Sequence, residues 1–366
     1  MSPRQLKLAG FFHSPGSHKS AWRLRDAIST CDVDFDAHVR IAQTLERGKF
    51  DAIFYQDSAA MGDASSVLQG DRKRTGFGRV VKFEPMSLLP ALAAVTKNLG
   101  LIATGTTTYN EPYHIARRFA SIDHISKGRA GWNLVTSQNQ EEAFNFGLDR
   151  HVDHALRYER AAEFYDVVVG LWDSWDEDAF PLDKENGLYF DADKLHFLQH
   201  DGKFFKVRGP LNVPRCPQGW PVVAQAGSSD VGRELAAKTA DVVFTAQSIL
   251  SEAQEFYRDV KARMARYGRK PDDLKILPGI VPLVARTDAE AREWYDEMQS
   301  FITDDVAVSA LSRHVGGVDL MKFPLDGPLP PLPPSNSAKG RMQILLDLAA
   351  KGMSIRGLGR HFVAGA

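Results

Sequence analysis

Cysteine is nearly absent: the 366 residues contain two, Cys31 and Cys216, far apart and outside any Cys-x-x-Cys spacing. That scarcity excludes a disulfide framework and argues against a thiolate metal site. Neither charge is in excess, because 45 Lys and Arg face 46 Asp and Glu for a formal net charge of -1. No global field therefore draws the chain to nucleic acid or to an anionic membrane. No apolar run approaches the roughly 20 residues of a membrane-spanning helix, and the opening stretch from Met1 to Gly10 lacks the apolar segment of a signal peptide. The His-Glu-x-x-His metal spacing, the Gly-x-Ser-x-Gly elbow and the Gly-x-Gly-x-x-Gly fingerprint are missing too. What remains is a cytoplasmic enzyme or binding protein with no metal expected.

What is present is the composition of an ordinary globular protein, 43% hydrophobic and 25% charged, on a chain long enough for one large α/β barrel or for two or three domains. Short apolar runs expected as strands lie at Leu6 to Phe12, Asp51 to Gln56, Leu99 to Thr106, Arg129 to Thr136, Pro221 to Gln225, Asp241 to Thr245 and Leu274 to Val284. Between the first two, Phe35, Val39, Ala42 and Leu45 recur at helical spacing before Gly48. Pro85 follows Glu84 at a helix start, where its missing N–H costs nothing, and Leu88, Leu89, Leu92 and Val95 form the buried stripe. Helices are also expected over Glu111 to Asp123, Val152 to Trp172, Val231 to Thr239, Ser251 to Tyr267, Ala289 to Thr303 and Arg341 to Gly352. This alternation calls for a parallel sheet covered by helices. Seven strands and no eighth point to a TIM-like (β/α)8 barrel, with a doubly wound open sheet as the competing architecture. Asp173 to Gly219 reads as an insertion with a hairpin around Lys203 to Val207. A Gly- and Ser-rich loop spans Ser58 to Gly78, and the proline-rich Gly327 to Pro334 is an extended connector.

In such a barrel the residues just past the strands share one mouth. Here they are His13, Asp57, Thr104 to Thr108, Thr136 with Ser137, Ser228 with Ser229, and Thr245 to Gln247. These are mostly hydroxyls and amides, which suit a bound organic cofactor that brings its own reactivity. The anchor is Gln225-Ala226-Gly227-Ser228-Ser229-Asp230-Val231-Gly232-Arg233, after the buried strand. Gly227 lets the backbone come close, the serines offer hydroxyls, and the helix start turns unpaired N–H groups toward an anion such as phosphate. A plain serine N-cap explains the same residues equally well. His154 and Tyr158 stand at i, i+4 and share a helix face, with Arg157 beside them; a solvated surface helix is the simpler alternative. Asp57 reads equally as a loop residue or cap, and His13 as a packed or surface histidine. Phe11, Phe12, Phe54, Tyr55 and Trp132 read as barrel core.

Longer stretches carry a resemblance. Arg129-Ala-Gly-Trp-Asn-Leu-Val-Thr-Ser137, Asn145-Phe-Gly147, His154-Ala-Leu-Arg-Tyr158, Leu171-Trp-Asp-Ser-Trp-Asp176, Phe204-Phe-Lys-Val-Arg-Gly-Pro-Leu-Asn-Val-Pro214 and the Gln225-Ala-Gly-Ser turn occur in that order. Together they resemble the bacterial-luciferase-like flavin monooxygenases, in the subgroup of nitrilotriacetate and dibenzothiophene-sulfone monooxygenases. The resemblance runs from about Leu8 to the chain end and implies a luciferase-type barrel binding FMN at the strand ends. Positions matching that family's flavin contacts are Asp57, Thr104, Thr136, His154, Tyr158, Gly227, Ser228 and Ser229. His154 is the implied catalytic residue, since an imidazole suits proton transfer near neutral pH.

The resemblance further implies that an NAD(P)H-dependent flavin reductase delivers reduced FMN (FMNH2). Reaction with O2 would give a flavin hydroperoxide that passes one oxygen to a small organic substrate. A homo-oligomer is expected as well. In the family pattern a further strand and helix follow the segment matching Met353 to Phe362, so the expectation here is a barrel without its closing unit and a truncated C-terminus. The expected organisation is one domain over 1–366, with 173–219 inserted and 303–339 as lid or connector. A flavin-binding protein without turnover and a deazaflavin-dependent oxidoreductase are the alternatives on the same barrel.

Overall fold

The computed structural model describes residues 5–13, 16–18, 20–61, 81–247, 249–316, 318–333 and 339–364. The first strands are β1 Ala9–Phe12, β2 Ala52–Tyr55, β3 Gly100–Thr106 and β4 Ala130–Val135. A two-stranded antiparallel hairpin, β5 His200–Asp201 and β6 Lys206–Val207, interrupts the series. The main sheet resumes with β7 Val222–Gln225, β8 Val242–Thr245 and β9 Lys275–Pro278. Its seven strands follow sequence order, and every neighbouring pair is parallel.

In that order β1 and β8 are five places apart, which would separate them by about 24 Å in a flat sheet. Yet Phe11 of β1 and Phe244 of β8 stack with ring centroids 4.7 Å apart and planes 5° from parallel. The sheet has curled into a nearly closed barrel, and the open doubly wound alternative is excluded. Phe54, Ile102 and Ala224 fill the interior, with Phe11, Ala52 and Val242 packed against them. No eighth strand occurs among the described residues, so β1 and β9 remain the sheet edges. The expected seventh strand overshoots: β9 ends at Pro278, opposite Thr245 at the end of β8. Beyond that point the chain has no strand to pair with, and Ile280 is 83% exposed.

The outer layer comes from α1 Phe35–Arg47, α2 Pro85–Val95, α3 Pro112–Ser126, α4 Gln140–Asn145, α5 His154–Trp172, α6 Asp230–Thr239 and α7 Leu250–Met264. Local chemistry sets their starts. Asp34 accepts from the Ala37 N–H at 3.0 Å, Glu84 accepts from Met86 and Ser87 at 2.9 and 2.7 Å, and Pro85 and Pro112 occupy first-turn positions. Outward strand residues Ile53, Leu101, Trp132 and Val223 pack with Leu89, Leu92, Phe119, Phe164 and Val168 of the helices. Trp132 is fully buried, and its Nε1 donates to the Gly105 carbonyl at 2.8 Å.

Toward the C-terminus follow α8 Asp288–Ser300, α9 Asp304–His314, α10 Lys339–Ala350 and α11 Ile355–Val363. Val308 and Leu311 of α9, Leu320, and Ile355, Leu358 and Val363 of α11 form a second core. Arg360 pairs with Asp304 across it at 2.9 Å. Part of the expected lid or connector is therefore helix α9, while 328–333 carries neither helix nor strand. Residues 317 and 334–338 of that segment, and 62–78 of the expected Gly- and Ser-rich loop, lie outside the described residues. The insertion over 173–219 contains the expected hairpin, held where Glu163 of α5 accepts from the Phe205 N–H at 2.9 Å and meets His200 Nε2 at 3.0 Å.

Candidate functional site

Strand polarity brings the ends of β2, β3, β4 and β7 to one rim as consecutive neighbours, so Asp57, Thr136 and Gly227 follow one another around the mouth. The β7–α6 turn is the narrowest part. A Cβ placed on Gly227 would lie 3.0 Å from Gly232 Cα and 3.3 Å from the Tyr158 hydroxyl; one on Gly232 would lie 3.0 Å from that hydroxyl and 3.1 Å from Ser229 Oγ. Only two glycines allow the turn, the helix and the tyrosine to meet so closely. Ser229 Oγ accepts from the Gly232 N–H at 3.2 Å, so the plain N-cap is present. That cap takes one N–H of the first turn and leaves those of Asp230 and Val231 without intrahelical acceptors, an arrangement suited to an anion. Arg233 Nε holds the Ser228 carbonyl at 2.9 Å.

Tyr158 reaches this turn from α5, and the His154 ring lies one helical turn earlier with its centroid 4.9 Å from the Tyr158 ring. The i, i+4 pair, Gly227 and Ser229 thus form one cluster. Thr104 lies within the barrel, paired in register with Asn133 of β4. Its hydroxyl donates to the Tyr55 carbonyl at 2.9 Å, so its oxygen must accept from Asn133 Nδ2 at 2.8 Å. This fixes the amide orientation and leaves Asn133 Oδ1 buried with no hydrogen-bond partner among the described residues. A ligand N–H would satisfy it.

At the end of β4 the Thr136 carbonyl accepts from Thr108 Oγ1 at 2.7 Å and from Arg157 Nη1 at 3.3 Å. Ser137, with φ of 54°, turns the chain so that its carbonyl also meets Arg157. Tyr109 lies nearby, with its hydroxyl 2.8 Å from His151 Nδ1 and its ring stacked on Phe146. Burial, and then the Arg157 charge, hold His151 below its ordinary pKa. Asp57, beyond β2, pairs with Lys82 at 3.4 Å. Burial raises its pKa while Lys82 opposes the rise.

Asp57, Thr136, Gly227, Ser228 and Ser229 follow strand ends along one rim and Thr104 lies inside the barrel, while Gly232 links Tyr158, Gly227 and Ser229, with the His154 ring beside Tyr158. Sequence reasoning did not single out Asn133, Tyr109, His151, Lys82 or Gly232. For Asn133 a signal existed: strand alternation places it on the same face as Gly131 and opposite Trp132. Among the described residues, no cluster of three His, Cys, Asp or Glu could hold a metal, and no helix is long and apolar enough to cross a membrane.

Comparison with known proteins adds to this geometry. Residues 9–318 match the family described as luciferase-like monooxygenase. The chain is 48% identical over 368 residues to N-acetyl-S-(2-succino)cysteine monooxygenase of Bacillus subtilis (strain 168), covering 99% of this chain and 80% of that one. It is 48% identical over 351 residues to nitrilotriacetate monooxygenase component A of Aminobacter aminovorans, covering 95% of this chain and 78% of that one. Among solved structures, riboflavin lyase with modified FMN and its substrate riboflavin superposes with a TM-score of 0.84, at 29% identity over 99% of this chain and 79% of that one.

Proposed function

The chain belongs to the luciferase-like monooxygenase family, and on that premise we propose that it is the oxygenating component of a two-component system using reduced FMN and O2. The observation that carries the reading is the Tyr158 hydroxyl seated between Gly227 and Gly232, beside a helix start whose N–H groups suit a phosphate. The unsatisfied Asn133 Oδ1 inside the same mouth fits a ring N–H. Ser228, Ser229 and the N–H groups of Asp230 and Val231 would hold the phosphoryl end. Thr104, Asn133, Thr136 and Asp57 would line the ring, with Tyr158 packing between the two. Bound reduced FMN would supply the two electrons with which O2 is divided between substrate and water. His154 would hold or release a proton at its imidazole beside the ring. Closure of the mouth over substrate would exclude water.

A relative named as component A supports a partner, for which we propose an NAD(P)H-dependent flavin reductase. The test supplies purified chain with reduced FMN and labelled O2, using N-acetyl-S-(2-succino)cysteine and nitrilotriacetate as first substrates. One labelled oxygen atom in the product supports the reading. Reduced FMN that binds and is oxidised without oxygenating any substrate in a wider screen makes the chain a flavin carrier. Failure to bind FMN in either redox state rejects the assignment.

A further inference from the structure

We propose that Arg157 is a positioning residue whose buried charge makes this site favour the anionic, reduced form of FMN over the neutral, oxidised form. The inference rests on the flavin reading above. Arg157 is 2% exposed and ranks among the largest fully buried side chains. Buried cations are normally paired with an anion, because an isolated charge is expensive to desolvate. No carboxylate lies within ion-pair distance of Arg157 among the described residues. Its donors go instead to three carbonyls: Val152 at 3.0 Å, Thr136 at 3.3 Å, and Ser137. Carbonyl dipoles orient and solvate a guanidinium without cancelling its charge. The left-handed Ser137 contributes by turning two successive carbonyls onto one group.

The charge is fixed in the helical turn between His154 and Tyr158 and at the end of β4, beside two arcs of the mouth. Its charge acts on neighbours there: burial first, and then the Arg157 charge, lower the His151 pKa. The carboxylates whose charges oppose it are Glu142, buried and accepting from the Ala59 N–H at 2.9 Å, and Asp153 at the helix start. The flavin ring becomes anionic on reduction, whereas its phosphate carries the same charge in both forms. The ratio of the two affinities therefore isolates the ring's response to the field.

The test measures dissociation constants for oxidised FMN and for FMN reduced anaerobically with dithionite, at mildly alkaline pH, on the full chain. Arg157→Gln should lower the preference for reduced FMN about tenfold, equivalent to about 30 mV in the two-electron potential of bound flavin. Arg157→Lys keeps the charge and offers three donors for three carbonyls, so it should retain most of the ratio even if both affinities fall. Glu142→Gln keeps an acceptor for Ala59 and removes the opposing charge, so it should raise the preference; this arm stands even if Arg157→Gln does not fold. An unchanged ratio in Arg157→Gln, equal losses in the Gln and Lys variants, or no rise in Glu142→Gln overturns the proposal. If the unaltered chain binds both forms, those failures touch this inference alone. If it binds neither, the flavin reading fails and takes the inference with it.

Discussion

Replacing Ser229 with aspartate separates two roles that an alanine would confound. Ser229 Oγ caps α6 through the Gly232 N–H, so Ser229→Ala loses about 1 kcal/mol of stability whatever the turn binds. Asp caps helices as well as Ser does, and a carboxylate there also suits the helix dipole. Ser229→Asp should therefore leave the melting temperature unchanged within a degree or two. Toward a phosphate the change is severe. Two unit charges within about 5 Å at an effective dielectric near 20 repel by about 3 kcal/mol. The FMN dissociation constant should then rise on the order of 100-fold. Riboflavin, which lacks the phosphate, provides the control: fluorescence titrations should give the same riboflavin affinity for the variant and the unaltered chain. FMN affinity left intact, or FMN and riboflavin weakened together, would refute the phosphate assignment of this turn.

His154→Ala should reduce oxygen transfer at saturating flavin by at least tenfold while changing FMN affinity less; equal turnover in single-mixing experiments would dismiss His154 as catalytic. Glu163 concerns stability. Burial works to raise its pKa, but hydrogen bonds from His200 and from the Phe204 and Phe205 N–H groups outweigh it and lower the pKa below the ordinary 4.5. A lowered carboxyl pKa contributes stability that is present above the unfolded value and lost as pH falls through the folded one. Thermal melts should thus show a loss below about pH 4.5 that is shallower in Glu163→Gln, and parallel profiles would contradict the assignment. Trp132→Phe removes the donor to the Gly105 carbonyl and leaves a void in a fully buried site. The cost should be about 2–4 kcal/mol by urea unfolding, and less than 1 kcal/mol would show that the site relaxes.

Where local chemistry decides, the sequence was readable. Ser229 caps the helix it announces and Pro85 stands in the first turn of its own, and Asp34 and Glu84 cap theirs in the same way, because a side-chain oxygen two or three residues before an N–H needs no distant partner. The main-sheet strands β2, β3, β4, β7 and β8 fall within a residue or two of their apolar runs, since a strand covered on both faces shows as a continuous run. Helices α9 and α11 escaped notice although Thr303 and Ser354 stand at their starts. Val308 and Leu311 find their counterparts in Leu358 and Val363, some fifty residues on, and periodicity within either helix cannot announce that pairing. The end of β9 was misjudged for a related reason: apolar residues continue to Val284, but β8 offers nothing to pair with beyond Thr245.

The chain's order of residues by itself determined the strand–helix alternation, the caps, the glycine-serine turn after β7 and the helical spacing of His154 and Tyr158, all of which depend on neighbours within about one turn. Only tertiary structure decided that the sheet curls until Phe11 meets Phe244, that Thr104 orients Asn133, and that Arg157 spends its donors on the Thr136 and Ser137 carbonyls. Those outcomes depend on register between strands and on closure of the sheet, which bring together groups far apart along the chain and so leave no periodic trace in it.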